Sequence, residues 1–595
     1  MSITIPFPNR QLLIEFGFII AVCAIAFIVV LPMLDVFPYG HAFFIAWLFW
    51  RAHWVAKQLL MRGSWMNPQS AKPLPVKPNP NGIVLGDGFT WTGDHVDAIQ
   101  RYVHVAKSLP QDDGKRGGSP AIHGCGSHRD RSVILPYERL RSHVAIEGST
   151  QSGKTVLLAN MISQAIAINQ GAVVIMDPKG SDQLYYTAKA MAERCGRKFA
   201  LIRPRTPLLS SRFNVLSSCE EAVDMPGRLR PIFPEGREAY FKEEPLSIWL
   251  RVAAMHKALG ITWDIRDIHN AVMDLDTLRW TLAQYMALKG IGFRGLRRTD
   301  MPDVDMLKNK YVEMGKDDPL IPGILRPLTR KQETHQERCG NLDVALSGVV
   351  DIEHAEIFGA QDALTWRDID EGNMVVIFRT DSLVTQQIGR NIASLFFQDF
   401  MGYMGLRYLT SGTSRIPITM FVDEVGEIVY PDFRQAINKV GEAGGRLILT
   451  WQTKSDLDAT LGKFQADVIR ANCQSRITMR IADDETADIL SRQSPKVRVT
   501  RLTGNRSMLM GSNSGKGISV EHEDVPLLEA NILQGQQVGQ GFFRLDGSLF
   551  HFNIPFSESE VPNDSTPTNS FSYSICTQCL QWLRWFGRSR LSSNS

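Results

Sequence analysis

The sequence predicts an α/β protein in which a parallel sheet covered by helices is interrupted by an all-helical insertion and preceded by two membrane-spanning helices. Three observations lead to this fold class. From residue 131 onward, short apolar strands alternate with segments of helical spacing. This alternation stops near Leu216 and gives way to amphipathic helical segments. Near the N-terminus, residues 16–34 contain no charged side chain. That length is close to the ~20 apolar residues that cross a bilayer.

The N-terminal segment is typical of a membrane hairpin. A second apolar run, residues 42–50, follows the first after a short polar interval and leads into a tryptophan-rich segment. Arg10 precedes the first run and Arg51 follows the second, so the positive-inside rule places both ends in the cytoplasm. Two alternatives stay open: a signal peptide for the first run and an interfacial helix for the second.

Composition limits the remaining possibilities. A chain of 595 residues is too long for one hydrophobic core, so we expect several folding units. Its net charge of +3 does not indicate a nucleic-acid-binding protein, and any such contact must come from local basic surface. Of the eight cysteines, only Cys576 and Cys579 form a CxxC pair. A zinc site needs about four ligands, so we expect reduced thiols.

The sheet is predicted from apolar runs on either side of the insertion. The expected strands are residues 133–135, 142–146, 172–176, 373–379, 416–422, 446–450 and 476–481. Long helices are expected at residues 154–169 and 383–409, and within the insertion at 246–259 and 268–288. A further strand–helix unit is expected at residues 84–105. Because strands and helices alternate, the strands of the main sheet should run parallel.

Residues 148–155, GSTQSGKT, match the whole phosphate-binding pattern G-x-x-x-x-G-K-[ST] between a predicted strand and a predicted helix. Glycines in such a loop let backbone N–H groups point at phosphate oxygens. We expect Lys154 to reach the β- and γ-phosphates and Thr155 to bind Mg²⁺. The predicted nucleotide-binding residues are Gly148, Ser149, Thr150, Gln151, Ser152, Gly153, Lys154 and Thr155.

An acidic pair ends another predicted strand, ITMFVDE. Asp423 is placed to hold Mg²⁺, and Glu424 to orient and deprotonate an attacking water. A water-activating carboxylate favours ATP hydrolysis over a nucleotide kinase, in which the acceptor is not water. An acidic pair at a strand end is also common as a solvated turn.

Polar residues end two more predicted strands. Gln452 ends LILTWQ, where its amide would sense the γ-phosphate. VVIMDPKG follows the helix of the phosphate-binding loop, and there we expect Asp177 to support the nucleotide site and Lys179 to face a substrate. A plain strand-to-loop turn is the alternative for this last pair.

These motifs divide the chain. The predicted units are a membrane anchor (1–65), a linker with a small strand–helix unit (66–130), the first part of a nucleotide-binding domain (131–216), an all-helical insertion (217–345), the second part of the nucleotide-binding domain (346–556) and a disordered tail rich in Ser, Asn and Pro (557–595).

The chain resembles the conjugative coupling proteins of type IV secretion in the order of its motifs: the hairpin, GSTQSGKT, VVIMDPKG, the helical insertion, FVDE and LTWQTKSDL. It is similar more narrowly to the TraD-type coupling factors of integrating conjugative elements through LGDGFTWTGDHVDAIQR (85–101) and PAIHGCG (120–126). The resemblance implies a P-loop ATPase with a RecA-like core that uses ATP and Mg²⁺. It implies a homohexamer spanning the bacterial inner membrane more than once, with its ATPase domain in the cytoplasm. The implied partners are DNA without sequence preference, relaxase and relaxosome proteins, and components of the secretion channel.

The resemblance also implies site roles: nucleotide and Mg²⁺ binding for Lys154 and Thr155, Mg²⁺ and water for Asp423 and Glu424, and sensing for Gln452. Several relatives carry an arginine that acts in trans on a neighbour's ATP shortly before the sensor glutamine. Here that place holds Gly441 and Glu442. The candidates that remain are Arg434, Arg446 and Arg476, and we favour Arg476 as the catalytic arginine because it is expected just outside the edge of the sheet.

DNA contacts are predicted from a stretch without acidic residues that contains Arg492, Lys496, Arg498, Arg501, Arg506 and Lys516. A second candidate DNA-contacting group is Arg294, Arg297 and Arg298 in the insertion. Alternatively, the insertion receives protein substrates. A solvated charged face is the other interpretation of both.

The predicted function is therefore ATP-driven DNA translocation during conjugative transfer. A docking receptor for relaxase or effector proteins, gated by nucleotide, is the alternative from another class. A chromosome-segregation translocase is less favoured, because few residues follow Phe556 and they leave no room for a winged-helix domain.

Overall fold

The computed structural model describes residues 50, 78–106, 108–109, 117–125, 130–229, 232–233, 240–293, 295–315, 317–350, 356–410, 416–428, 437, 439–506 and 516–554. The predicted anchor (1–65, apart from Trp50) and the predicted tail (557–595) lie outside these ranges. None of the helices within them is long and apolar enough to cross a membrane.

The strands are β1 (Gly82–Thr90), β2 (Arg131–Pro136), β3 (Val144–Glu147), β4 (Val173–Asp177), β5 (Phe199–Ile202), β6 (Val375–Arg379), β7 (Ile418–Val422), β8 (Gly445–Trp451), β9 (Ser475–Met479), β10 (Lys496–Arg506), β11 (Lys516–Pro526), β12 (Gln540–Leu545) and β13 (Ser548–Asn553).

The α-helices are α1 (Gly93–Ala106), α2 (Ala121–Gly124), α3 (Lys154–Ile168), α4 (Asp182–Arg194), α5 (Met225–Leu229), α6 (Tyr240–Ala258), α7 (Ile265–Met273), α8 (Leu275–Leu288), α9 (Val304–Met314), α10 (Leu320–Leu328), α11 (Gln332–Val350), α12 (Trp366–Glu371), α13 (Ser382–Thr410), α14 (Lys454–Leu461), α15 (Lys463–Asn472), α16 (Asp484–Arg492) and α17 (Ala530–Gly535).

One large sheet organises the molecule, with strand order β2-β1-β13-β12-β9-β3-β8-β7-β4-β6-β5. The strands from β9 to β5 run parallel. An antiparallel extension of β12, β13, β1 and β2 continues the sheet beyond β9. The prediction of an α/β protein with a parallel sheet is confirmed.

The central strands are apolar because both of their faces are covered. Every residue of β4, β6 and β7 is buried. On β4, Val174 and Met176 belong to the hydrophobic core that contains the insertion helices, whereas Val173 and Ile175 belong to the core formed with α3 and α4. Alternate residues of one strand thus stabilise two layers of helices.

The helices α5 to α11 form the insertion, which ends at Val350 and so extends slightly past the predicted boundary. The single helical segment predicted at 268–288 is two helices. Asp274 separates them in an extended conformation (φ −107°, ψ 116°), and its side chain accepts a hydrogen bond from the backbone N–H of Thr277 to cap α8.

The strand–helix unit expected at residues 84–105 does not stand apart from the main domain. Its strand, β1, lies in the large sheet between β2 and β13. Gly88 permits this pairing, because a Cβ there would lie 1.9 Å from the carbonyl oxygen of His551. The sequence pattern did not predict this placement, nor β5, β12, β13 and the separate β10–β11 hairpin, because these pairings depend on distant partners and not on local periodicity.

Candidate active site

Apart from Arg476, the predicted site residues meet at the carboxyl edge of the parallel strands. The phosphate-binding loop, residues 148–155, connects β3 to α3. Strand β8, which precedes Gln452, lies directly between β3 and β7, and β7 precedes the acidic pair. Because carboxyl ends of parallel strands share one edge, this order brings together three loops that are far apart in the sequence.

The loop has the backbone of a phosphate cradle. Gln151 (φ 59°) and Gly153 (φ 103°) both adopt left-handed conformations. A Cβ on Gly153 would lie 3.0 Å from the backbone nitrogen of Gly539, and one on Gly148 would lie 2.7 Å from Cβ of Met479. Within the described residues, the buried hydroxyl of Ser152 has no hydrogen-bond partner. Tight glycines and an unsatisfied buried hydroxyl fit a loop that binds an oxygen-rich ligand.

Lys154 lies inside this loop. Its side chain is 9% exposed, and its ammonium donates to the carbonyl oxygen of Gly148 and, at 3.1 Å, to that of Ser149. Burial lowers the pKa of Lys154, and the charges of Glu424 and Asp423 oppose this shift. A buried cation facing two carboxylates is suited to a polyanionic ligand between them.

The acidic pair is held by Thr450 of β8. The Thr450 hydroxyl donates to Oδ1 of Asp423 at 3.0 Å and accepts from the backbone N–H of Glu424 at 2.9 Å. Burial raises the pKa of Asp423, while Lys179 and the Thr450 hydrogen bond lower it. Glu424 has a left-handed backbone (φ 62°, ψ 73°), a conformation that non-glycine residues rarely adopt outside functional sites.

A chain of side-chain contacts joins the loop to the acidic pair. Thr150 donates from its hydroxyl to Oε1 of Gln452 at 2.8 Å. Nε2 of Gln452 donates to Oε2 of Glu424 at 3.1 Å, and Nζ of Lys179 lies 2.6 Å from the same oxygen. Gln452 therefore contacts both the phosphate-binding loop and the proposed base.

Asp177 shapes the loop that carries Lys179. Its Oδ1 accepts from the backbone N–H of Gly180 at 2.8 Å, and its Oδ2 lies 3.7 Å from Nε of Arg379. Arg379, which is 2% exposed, also donates to the carbonyl oxygen of Gly180. Burial raises the pKa of Asp177 to about 7, although Arg379 opposes the shift. Asp177 thus acts on the local loop conformation.

The residues predicted for Mg²⁺ are chemically suitable. Thr155 is the second residue of α3, and Asp423 follows β7. Hydroxyl and carboxylate oxygens are hard ligands of the kind that Mg²⁺ prefers, and this ion usually keeps several waters. Among the described residues, no group of three or more His, Cys, Asp and Glu side chains forms a candidate metal cluster.

Arg476 lies away from these residues in the same chain. It belongs to the amino-terminal half of β9, opposite the edge that carries the phosphate-binding loop. Its guanidinium donates to the carbonyl oxygens of Arg470 (2.9 Å) and Cys473 (3.4 Å), and burial lowers its pKa. Arg446 is the second residue of β8, at the same amino edge, and Arg434 lies outside the described residues. A role for Arg476 on a neighbouring chain stays a prediction.

The predicted basic stretch lies largely in the β10–β11 hairpin, where two of its arginines lie opposite acidic residues in the strand register, whereas Arg506 lies opposite Lys516. The guanidinium of Arg498 lies 3.1 Å from Oδ1 of Asp524, and Arg501 is opposite Glu521 in the strand register. The hairpin therefore carries a more mixed charge than the linear sequence indicates. In the insertion, Arg297 and Arg298 are exposed, and Arg294 lies outside the described residues.

The sequence patterns did not predict that Thr450 holds the acidic pair, nor that Lys179 contacts Glu424. The threonine lies two residues before Gln452 near the end of a buried strand, which was a usable signal. The Lys179 contact joins residues 245 positions apart, and no local pattern predicts such a pairing.

Comparisons with known proteins find two family models that match separate parts of the chain. Residues 417–536 match the family described as the TraM recognition site of TraD and TraG, and residues 126–228 match the central domain of the helicase HerA. No curated protein matches the chain.

Several solved structures are similar at low identity. The bacterial conjugative coupling protein TrwBdeltaN70, in an unbound form, is 13% identical over 81% of this chain and 96% of its own, with a TM-score of 0.47. TrwB with a non-hydrolysable ATP analogue is 14% identical over 81% and 96%, with a TM-score of 0.46. VirB4 of Thermoanaerobacter pseudethanolicus is 14% identical over 81% and 98%, with a TM-score of 0.43. The family match over residues 417–536, which include the acidic pair and Gln452, supports a TraD/TraG-type coupling protein.

Proposed function

We propose that this chain is a membrane-anchored, ATP-driven DNA translocase that couples relaxase-bound DNA to a type IV secretion channel during conjugative transfer. The observation that carries the proposal is the position of Glu424. It lies beside the buried Asp423 and is linked through Gln452 to the phosphate-binding loop. An acid placed in this way activates water, which a motor requires and a simple nucleotide-binding protein does not.

The residues of the site have distinct tasks in hydrolysis. Backbone N–H groups of residues 148–155 and the Lys154 ammonium hold the phosphates of ATP. Thr155 and Asp423 would hold Mg²⁺, which neutralises charge on the phosphate oxygens when it is bound. Glu424 orients a water molecule and accepts its proton, and Thr450 holds the Asp423 carboxylate and the backbone N–H of Glu424 in fixed positions.

Gln452 is suited to transmit the state of the nucleotide. Its amide contacts Thr150 of the loop at one end and Glu424 at the other. We propose that this core is RecA-like and works as a homohexamer with ATP bound between subunits. Loss of the γ-phosphate would then change the orientation of loops around a central pore. Arg476 is the proposed arginine from the neighbouring subunit, where such a residue is worth about 10³-fold or more in rate.

Location and partners follow from the same proposal. Residues 1–65 would anchor the protein in the bacterial inner membrane as a multi-pass hairpin, with the ATPase domain in the cytoplasm. Residues 417–536 would receive a relaxosome protein of the TraM type, since that segment matches a family described by this recognition. DNA is expected to be bound through its phosphates without sequence preference.

The test is ATP hydrolysis by the full-length chain in detergent, with and without single-stranded DNA. We expect DNA to stimulate the rate several-fold. Glu424→Gln should lower kcat by about 10²-fold or more without preventing nucleotide binding, whereas Lys154→Ala should weaken nucleotide binding itself. Removal of residues 1–65 should release the protein from the membrane fraction.

A nucleotide-gated docking receptor for relaxase or effector proteins is the second candidate. It is favoured by the acidic partners of the β10–β11 hairpin, which reduce the basic surface available to DNA. Nucleotide-dependent relaxase binding, together with an ATPase rate that DNA does not change, would favour the receptor and reject the translocase.

A further inference from the structure

Lys179 makes the shortest contact with the proposed base. Its ammonium lies 2.6 Å from Oε2 of Glu424, the distance of a charge-assisted hydrogen bond. The same oxygen also accepts from Nε2 of Gln452 at 3.1 Å. Because this oxygen is already engaged by a cation and an amide, it is less available to orient a water molecule, and the carboxylate is held in a restrained state.

The loop around Lys179 is built to present it. Asp177 binds the backbone N–H of Gly180, and the buried Arg379 donates to the carbonyl oxygen of the same residue. Gly180 has φ 82°, and a Cβ there would lie 2.4 Å from Oδ1 of Asp381. The backbone that carries Lys179 is therefore held on both sides by buried charged groups, unlike that of an ordinary surface lysine.

The two partners differ in their access to solvent. The side chain of Lys179 is 38% exposed, whereas that of Glu424 is 9% exposed. An arriving anion can reach the ammonium more readily than another cation can reach the carboxylate. Phosphate oxygens are strong acceptors for a lysine ammonium, so a phosphate group is the chemical competitor that fits this site.

We propose that Lys179 is a positioning residue that restrains Glu424 and releases it when a phosphate group takes its place as partner of the ammonium. The inference rests on the proposed hydrolysis function of the same site. Two sources of phosphate share this chemistry: the bound nucleotide, whose loop lies one contact away through Gln452, and the backbone of DNA. In either case hydrolysis becomes dependent on the arrival of the ligand.

The experiment uses steady-state ATP hydrolysis by the full-length protein in detergent, for wild type, Lys179→Met and Lys179→Arg. Lys179→Met removes the charge at similar length. We expect it to raise the DNA-free kcat by about threefold to tenfold, because the base is no longer restrained, with little change in KM where DNA supplies the phosphate. Lys179→Arg should restore the low DNA-free rate. Lys308→Met is the matched control, since Lys308 has a similar exposure (42%) and pairs with Asp305 on helix α9.

Binding measurements identify the source of the phosphate. If it is DNA, Lys179→Met should weaken binding of a fluorescent single-stranded oligonucleotide and abolish DNA stimulation, while binding of a non-hydrolysable ATP analogue is unchanged. If it is the nucleotide, the analogue should bind more weakly and oligonucleotide binding should be unchanged.

A DNA-free kcat that stays unchanged or falls in a folded Lys179→Met protein would overturn the restraint. A fall in kcat with a raised KM would mean that Lys179 binds the reacting phosphate instead. These outcomes differ from failure of the proposed function, in which wild type itself shows no ATP hydrolysis.

Discussion

Thr450 shows how a single hydroxyl organises this site. It is fully buried on β8, yet it contacts both the Asp423 carboxylate and the backbone of Glu424 on the neighbouring strand. Glu424 has a left-handed backbone, so its side-chain direction depends on a fixed N–H. The conformation of Glu424 thus depends on a residue that need not contact the substrate.

Thr450→Val keeps the shape of the side chain and removes both hydrogen bonds. Leaving the buried N–H of Glu424 unsatisfied costs about 1–3 kcal/mol. We expect a loss of that size in the free energy of unfolding, measured by chemical denaturation, together with a lower kcat. Thr419→Val, another buried threonine on the adjacent β7, is the control. If both variants lose stability equally and keep the wild-type kcat, Thr450 does not position the acidic pair.

At the scale of elements, the loops at one edge of the sheet carry most of the predicted site residues. The strands are short and fully buried, and they bring the phosphate-binding loop, the Lys179 loop and the acidic pair to the same place. Two of these loops contain glycines with positive φ that pass very close to other backbone or side-chain atoms, namely Gly153 and Gly180. Their conformations are therefore set by packing as well as by sequence.

Gly153→Ala tests the phosphate-binding loop as an element. The added methyl would lie 3.0 Å from the backbone nitrogen of Gly539 at φ 103°, so the loop must shift. We expect a strong loss of nucleotide binding and a destabilisation of about 1–3 kcal/mol. These are measured by fluorescent-nucleotide titration and thermal unfolding.

Gly196→Ala is the matched control for the loop. Its φ is 65°, but no described atom lies within 4 Å of the added methyl, so it carries only the conformational cost of about 1–2 kcal/mol. Nucleotide binding by Gly153→Ala at the wild-type level would contradict the tight packing of the loop.

For the whole molecule, buried carboxyl groups link stability to pH. Asp399 lies on the long helix α13 and accepts hydrogen bonds from Ser217 and Ser218, which precede the helices of the insertion. Burial raises its pKa to about 6, and burial raises that of Asp177 to about 7. Both values are above the ordinary 3.8. Because the folded state binds these protons more tightly, their stabilising contribution is complete below the ordinary value and is lost as the pH rises through 6 to 7.

Asp399→Asn removes one of these two titrating carboxyl groups. The difference in unfolding free energy between wild type and this variant should fall by about 1–3 kcal/mol from pH 4.5 to pH 7. Denaturant titrations at several pH values measure it. Asp305→Asn, at an 88% exposed carboxyl, should give a difference that does not depend on pH. A flat difference for Asp399→Asn as well would mean that this carboxyl is ionised throughout.

The sequence by itself predicted the class of the fold and most residues of the candidate site. Strand and helix periodicity predicted the parallel sheet, and the spacing of GSTQSGKT, Asp423–Glu424 and Gln452 predicted residues that the structure places at one edge. These signals are local, since each depends on a few consecutive residues and on the handedness of βα units.

Only the tertiary structure decided which distant groups became partners. It placed β1 within the main sheet, set Asp524 opposite Arg498, directed Arg476 to the far edge and joined Lys179 to Glu424. Such contacts form because folding brings surfaces together across hundreds of residues. Burial and charge pairing, which have no local sequence period, then determine which contacts are stable.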